Sequence, residues 1–213
     1  MVALLRVKVE KFHKAVPIVS DLKNPTLEAR HWDEISLIIN YNVRENVETT
    51  TLGTLIDLNV MKFQEEIGTI CGKAVQEAEL KKMLMKIERE WKDLALVVIL
   101  YKEQKDNFVL GGLDDVIAKL DESLVAINIV LGSRFVEPIR TEVTEWSRRL
   151  LLFSETIDEW MTCQKNWMYL ESIFSAPDIQ KQLPDDAALF AQARAVGRMS
   201  QSINSHQPLT EYF

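Results

Sequence analysis

From Ile139 to Trp160 the apolar residues recur at spacings of four and three without a fault: Ile139, Val143, Trp146, Leu150, Phe153, Ile157 and Trp160. Only an α-helix brings residues at that mixed spacing onto one face. The register continues through Gln164, Trp167, Glu171 and Phe174, where polar residues begin to share the seam. Pro138 suits the first turn of such a helix, and Ser175-Ala176-Pro177-Asp178 reads as its stop followed by a new start. A helix over 138–174 would be about 55 Å long at a rise of 1.5 Å per residue. Trp146, Trp160, Trp167 and Phe174 are expected to form its structural seam against neighbouring helices.

The remaining sequence points the same way. Seven Gly and six Pro in 213 residues leave room for long elements and few turns. Apolar periodicity predicts a helix over 4–16, with Pro17 starting a turn or kinking the helix. Asn24-Pro25 marks a break, and a second helix is expected from Thr26 to Asn40, with Leu27, Trp32, Ile35 and Ile39 near one face. Asn42 to Thr51 reads as a loop, with Thr50 and Thr51 as candidate caps for a helix near Leu52. Lys62 to Leu94 is helical again, with possible breaks near Gly72 or Glu77; Leu80, Leu84, Ile87, Trp91 and Leu94 form one stripe. Val97 to Tyr101 is β-branched and aromatic, Lys105-Asp106-Asn107 is turn-like, and Phe108-Val109-Leu110 runs into Gly111-Gly112, the pattern of a small hairpin. Helix resumes from Leu113 to Leu131. After a break at Gln182-Leu183-Pro184, a last helix is expected from Asp185 to Ile203, with an aperiodic tail from Ser205.

The expected fold is therefore mainly α: an elongated helical-bundle array with one long helix and a small β-hairpin insertion. It divides into an N-terminal helical subdomain (1–41), a middle helical subdomain with the hairpin near 96–110 (42–135), and the long helix with C-terminal helices (136–213).

Charge and composition exclude several classes of function. A net charge of −7 supplies no basic surface for phosphates. Lys81, Lys82, Lys86 and Arg89 are interleaved with Glu77, Glu79, Glu88 and Glu90, which reads as a solvated helix face. No apolar run is long enough to cross a bilayer. Cys71 and Cys163 are far apart within apolar helical patterns, so each is expected to behave as a small buried hydrophobe. Neither nucleic acid nor membrane is an expected partner.

The chain offers no constellation for catalysis. Gly68-Thr-Ile-Cys-Gly72-Lys73-Ala74 has three residues between its glycines and no hydroxyl after the lysine, so it departs from a phosphate-binding loop at both chemically necessary points. His13, His31 and His206 have no second metal ligand at suitable spacing, and His31 reads as structural. Asp114-Asp115 and Asp185-Asp186 lie near helix starts, where the helix dipole favours them. No catalytic, cofactor-binding or metal-binding residue is expected in this chain.

A resemblance adds what spacing cannot. Trp160-Met-Thr-Cys-Gln164-Lys-Asn-Trp167-Met-Tyr169-Leu170-Glu171-Ser-Ile173-Phe174, continuing through Asp178-Ile179-Gln-Lys-Gln-Leu183-Pro184, resembles the signature of the dynein heavy-chain linker, in its axonemal form. Asn24-Pro25, Arg30-His31-Trp32, Glu88-Arg89-Glu90-Trp91 and Gly112-Leu113-Asp114-Asp115 are similar to residues the family places upstream. The motif residues are Gln164, Tyr169, Leu170, Glu171, Asp178, Ile179, Leu183 and Pro184. Ala193-Arg194-Ala195-Val196-Gly197 departs from the family, which has a Val-Asp pair and a tryptophan after Phe190. The resemblance implies a fragment of a mechanical lever, without catalysis of its own. ATP and magnesium would be bound by the AAA+ ring of the same heavy chain, and intermediate chains, light chains and microtubules engaged through the parent complex in a cilium or flagellum axoneme. A free-standing helical adaptor is the alternative reading.

Overall fold

Helix formation follows the apolar periodicity and overrides two local breakers. The computed structural model describes residues 2–46, 49–92, 94–102 and 107–193. Helix α1, Val2–Leu22, runs on through Pro17. A proline inside a helix costs ~3 kcal/mol through its missing N–H and its clash with the preceding turn. Burial beyond it offsets that cost: Ile18 is fully buried and Leu22 packs on the same core. The chain then stops at Asn24, whose Oδ1 accepts from the Thr26 N–H at 3.0 Å and from the Thr26 hydroxyl at 2.8 Å, an Asx turn.

Helix α2, Ala29–Ile39, is shorter than the 26–40 expected and ends on Asn40 in the left-handed region at φ 51°. Helix α3, Leu52–Asp57, is capped by Thr51, whose Oγ1 accepts from the Thr54 N–H at 3.2 Å. Thr50 is not a second cap; its hydroxyl donates to the Asn46 carbonyl at 2.7 Å. A 3-10 turn, Val60–Phe63, leads into helix α4, Gln64–Lys92. The break near Gly72 or Glu77 does not occur. Ile67, Ile70, Cys71 and Ala74 are buried along this part of α4, and that burial outweighs the low helix propensity of Gly68 and Gly72.

The chain forms two compact units, one of Met1–Lys82 with Arg134–Pro138, the other of Met83–Ser133 with Ile139–Phe213. The division falls inside α4 and within the 42–135 stretch. In the first unit the core consists of Ile18, Ile35, Ile39, Val43, Val60, Ile67, Ile70 and Cys71, flanked by Leu27 and Trp32.

In the second unit, strands β1 (Val97–Leu100) and β2 (Phe108–Gly111) pair antiparallel, Val97 opposite Gly111 and Leu100 opposite Phe108. The hairpin therefore stands where its composition put it; Lys105 and Asp106 of the expected turn lie outside the described residues. Gly112 follows at φ 62°, a left-handed conformation that a Cβ would strain. Helix α5, Asp114–Leu131, carries Asp114 and Asp115 in its first turn. Pro138 sits in a 3-10 turn, Glu137–Ile139, so the long helix α6 begins at Arg140 and ends at Phe174. Its 35 residues extend ~52 Å. Helix α7, Pro177–Gln182, has Pro177 at its first position. A further helix runs over 184–193, and the expected continuation to Ile203, the departure at 194–197 and the tail lie outside the described residues. The fold is mainly α with a small two-stranded sheet. No helix among the described residues is long and apolar enough to cross a membrane.

Candidate functional site: a hairpin latched to the long helix

The α6 seam divides into two columns spaced by seven residues. One column reads Val143, Leu150, Ile157, Gln164 and Glu171; the other reads Trp146, Phe153, Trp160, Trp167 and Phe174, every member aromatic. Val143, Leu150 and Ile157 are buried, and this half of the seam meets helices. Trp146 Nε1 donates to Glu88 Oε1 at 2.9 Å, and Phe153 meets Trp91 edge-on with ring centroids 5.2 Å apart. Trp91 is itself buried, and its Nε1–H donates to the buried Ser123 hydroxyl at 2.9 Å. An indole can be placed in a core only when its N–H finds such a partner.

At Gln164 the first column turns polar and the seam changes partner. The Gln164 side-chain amide accepts from the Leu110 N–H at 2.8 Å and donates to the Leu110 carbonyl at 2.9 Å. One side chain thus takes the place of a neighbouring strand along the outer edge of β2. Two helical turns further along the column, Glu171 is buried at 2% exposure, and Lys102 Nζ reaches it at 2.8 Å. The Ser175 hydroxyl donates to the Glu171 main-chain carbonyl at 2.6 Å and lies 3.1 Å from the other carboxylate oxygen. A carboxylate this buried is tolerated because donors meet it. The Glu171 hydrogen bond, followed by that of Tyr101, holds the Lys102 ammonium above its ordinary pKa. Tyr101 also meets Trp167 edge-on at 5.3 Å. The hairpin is thereby fixed to α6 by main-chain hydrogen bonds, an ion pair and an aromatic contact.

The predicted seam residues fall into different settings. Trp146, Trp167 and Phe174 are half-buried, whereas Trp160 is 37% exposed, and Phe174 stacks on Phe190 at 5.3 Å. Of the motif residues, Gln164 and Glu171 hold the hairpin. Tyr169 and Leu170 are exposed, Ile179 is half-buried in α7, and Asp178, Leu183 and Pro184 are exposed. Lys102 and Tyr101 carried no signal by themselves; a Gln and a Glu in an otherwise apolar seam were the legible half of the arrangement.

Two expectations are corrected. Cys71 is buried, but Cys163 is exposed, because it precedes Gln164 and lies off the seam. Burial, helped by the charge of Asp21, pushes the Cys71 thiol up to about 11. Glu77 is not on a solvated face: it is buried, with Arg30 at 2.6 Å and His31 Nε2 at 2.8 Å from its Oε2. Because His31 Nδ1 accepts from the Glu28 N–H at 3.0 Å, its proton sits on Nε2 and is donated to Glu77. His31 is structural in this setting, tying α2 to α4. The glycine pair at Gly68 and Gly72 lies inside α4 rather than in a loop. Among the described residues no group of three His, Cys, Asp or Glu side chains is placed to hold a metal.

The family model for the dynein heavy chain, N-terminal region 2, matches residues 1–207. The chain belongs to the dynein heavy chains. This heavy-chain segment is 44% identical to human dynein axonemal heavy chain 6 over 192 residues, which is 90% of the segment and 5% of that relative. It is 36% identical to human dynein axonemal heavy chain 2 over 190 residues, 89% of the segment and 4% of the relative. Human dynein axonemal heavy chain 3 matches at 31% over 207 residues, 96% of the segment and 5% of the relative. The heavy-chain segment thus spans about one-twentieth of the length of these relatives.

Proposed function

We propose that this heavy-chain segment is part of the linker of an axonemal dynein, a mechanical lever that passes conformational change from the AAA+ ring to the cargo-bearing end. The observation that carries the proposal is the uninterrupted α6, 35 residues long and braced along its seam by helices and then by the latched hairpin. A lever must be stiff between its hinges, and a braced helix resists bending where a bare one does not. In this reading the segment performs no catalytic step. ATP and magnesium are bound by the ring of the same heavy chain, microtubules are engaged elsewhere in the parent, and intermediate and light chains join through the assembled complex in the axoneme. Trp146, Trp160, Trp167 and Phe174 serve as its seam.

The test is a flexible glycine insertion after Trp160 in the intact motor. ATP hydrolysis is expected to persist while microtubule gliding slows or stops. Gliding at unchanged velocity would remove the lever role. The adaptor alternative is tested separately, with an antibody to residues 139–184. An axonemal band far larger than 24.5 kDa is expected, and a band of that size in the cell body would favour the adaptor.

A further inference from the structure

Strand β1 is exposed along its whole length: Val97, Val98, Ile99 and Leu100 are 51%, 40%, 48% and 52% accessible. Its hydrogen-bonding parity follows from two observations. The Tyr101 N–H donates to the Asn107 carbonyl, so 101/107, 99/109 and 97/111 are the bonded pairs. Leu110 turns its N–H and carbonyl away from β1, to Gln164, so Leu110/Val98 and Phe108/Leu100 are the alternate pairs. Val98 and Leu100 therefore each direct an N–H and a carbonyl to the outer edge of β1, where none of the described residues meets them. The two edges of the sheet differ in kind: a side-chain amide closes the outer edge of β2, and no described residue closes the outer edge of β1.

Proteins usually guard an open edge with lysine, proline or a bulge. Val97–Leu100 has none of these, and its pairing with β2 is regular. Donors and acceptors at every second residue are the complement of an extended strand. Val98 and Leu100 on one face, with Val97 and Ile99 on the other, offer no countercharge, so the incoming strand must be uncharged and apolar. The edge is short, burying on the order of a few hundred Å² against the roughly 1,200 Å² of a stable free association. An occupant must therefore be tethered, so that its effective concentration is high. The heavy-chain relatives supply such a tether, since 95% or more of their length lies outside the matched region.

We propose that the outer edge of β1 receives an extended, uncharged, apolar strand from elsewhere in the same heavy chain, completing a three-stranded sheet on α6. The proposal rests on the reading of this segment as part of a full heavy chain. The experiment compares hydrogen exchange at single-amide resolution in the intact heavy chain and in the 213-residue chain alone. Val98 and Leu100 are expected to exchange roughly 100-fold more slowly in the intact heavy chain, because each of their two outward N–H groups gains an acceptor. Val98→Pro deletes an outward donor and spares the bonds to β2. In the intact heavy chain it is expected to abolish the slowing at Leu100 while Ile99 and Val109 stay protected, which shows that the hairpin still folds. Equal, fast exchange of Val98 and Leu100 in both proteins would overturn the proposal. Slowing that grows with the concentration of the isolated chain would overturn it in favour of a second copy. Slowing seen only after other polypeptides are added to the heavy chain would overturn it in favour of a separate subunit. The lever role is read by gliding of the glycine-insertion variant, so either idea can fail while the other stands.

Discussion

Replacing Gln164 by Ala removes the amide that closes the outer edge of β2 and leaves the rest of α6 intact. The loss comprises the hydrogen bonds to the Leu110 N–H at 2.8 Å and to its carbonyl at 2.9 Å. Each neutral hydrogen bond contributes ~1 kcal/mol net, and Leu110 is half-buried, so water replaces only part of what is lost. Helix propensity slightly favours Ala over Gln and does not weaken α6. Hairpin docking is expected to weaken by ~1–3 kcal/mol, and the Leu110 amide to exchange about 5- to 150-fold faster. Amide exchange followed by NMR reads this directly, with amides in the middle of α5 as the internal control. Those amides should not change, because the hydrogen bonds of Gln164 run to β2 and within α6 and not to that helix. An unchanged rate at Leu110 would refute the strand-mimic role of Gln164. A uniform acceleration across α5 and α6 would refute it differently, by making Gln164 a general core residue. Gln164→Glu sharpens the test: a carboxylate accepts from the Leu110 N–H but cannot donate to its carbonyl, so partial protection is expected at neutral pH.

Trp91→Ala empties the site shared with Ser123 and Phe153 and should destabilise the second unit by ~3–5 kcal/mol, measured by denaturant unfolding; a loss under 1 kcal/mol would contradict its place in the core. Iodoacetamide at pH 8 should label the exposed Cys163 and spare Cys71, whose thiol is buried and pushed up to about 11; rapid labelling of both without denaturant would show the Cys71 burial to be wrong. Hydrogen bonds from Arg148 and then Arg149 hold the Glu145 carboxyl at about 2, below its ordinary 4.5, so its contribution to stability is complete above 4.5 and fades as pH falls through about 2. A carboxyl titration should place its midpoint there, and Arg148→Ala should raise it; a midpoint unmoved by that change would remove the pair as the cause. Gly112→Ala should cost ~1 kcal/mol because its φ of 62° suits glycine, whereas a neutral result in thermal unfolding would mean the turn relaxes.

Periodicity made the long helix and the stripe of Leu80, Leu84, Ile87 and Trp91 legible, because each answers to burial of a repeating face, although Leu94, expected to close that stripe, lies beyond the helix end at Lys92. The hairpin was legible from composition instead, since β1 is exposed along its whole length. The limits of that logic are equally specific. The helix through Pro17 and the unbroken α4 depend on tertiary burial that a local breaker rule does not see. Glu77 looked solvated because its neighbours in sequence are charged, yet its environment is set by Arg30 and His31, on α2. Cys163 looked apolar by company, but one residue of offset from the seam is enough to face solvent. At the latch, Gln164 and Glu171 showed themselves as polar residues in an apolar column, whereas Lys102 lies 69 positions away from Glu171 and nothing local marks it.

The order in which the chain is made gives the division into two units a further meaning. Arg134–Pro138, with the buried Val136, belongs to the first unit but is separated from the rest of it by Met83–Ser133. At the ribosomal pace of ~5–20 residues per second, this last piece emerges several seconds after Lys82. Through that interval the nascent first unit lacks a buried part, so a chaperone that acts on this heavy chain has a defined window in which to do so.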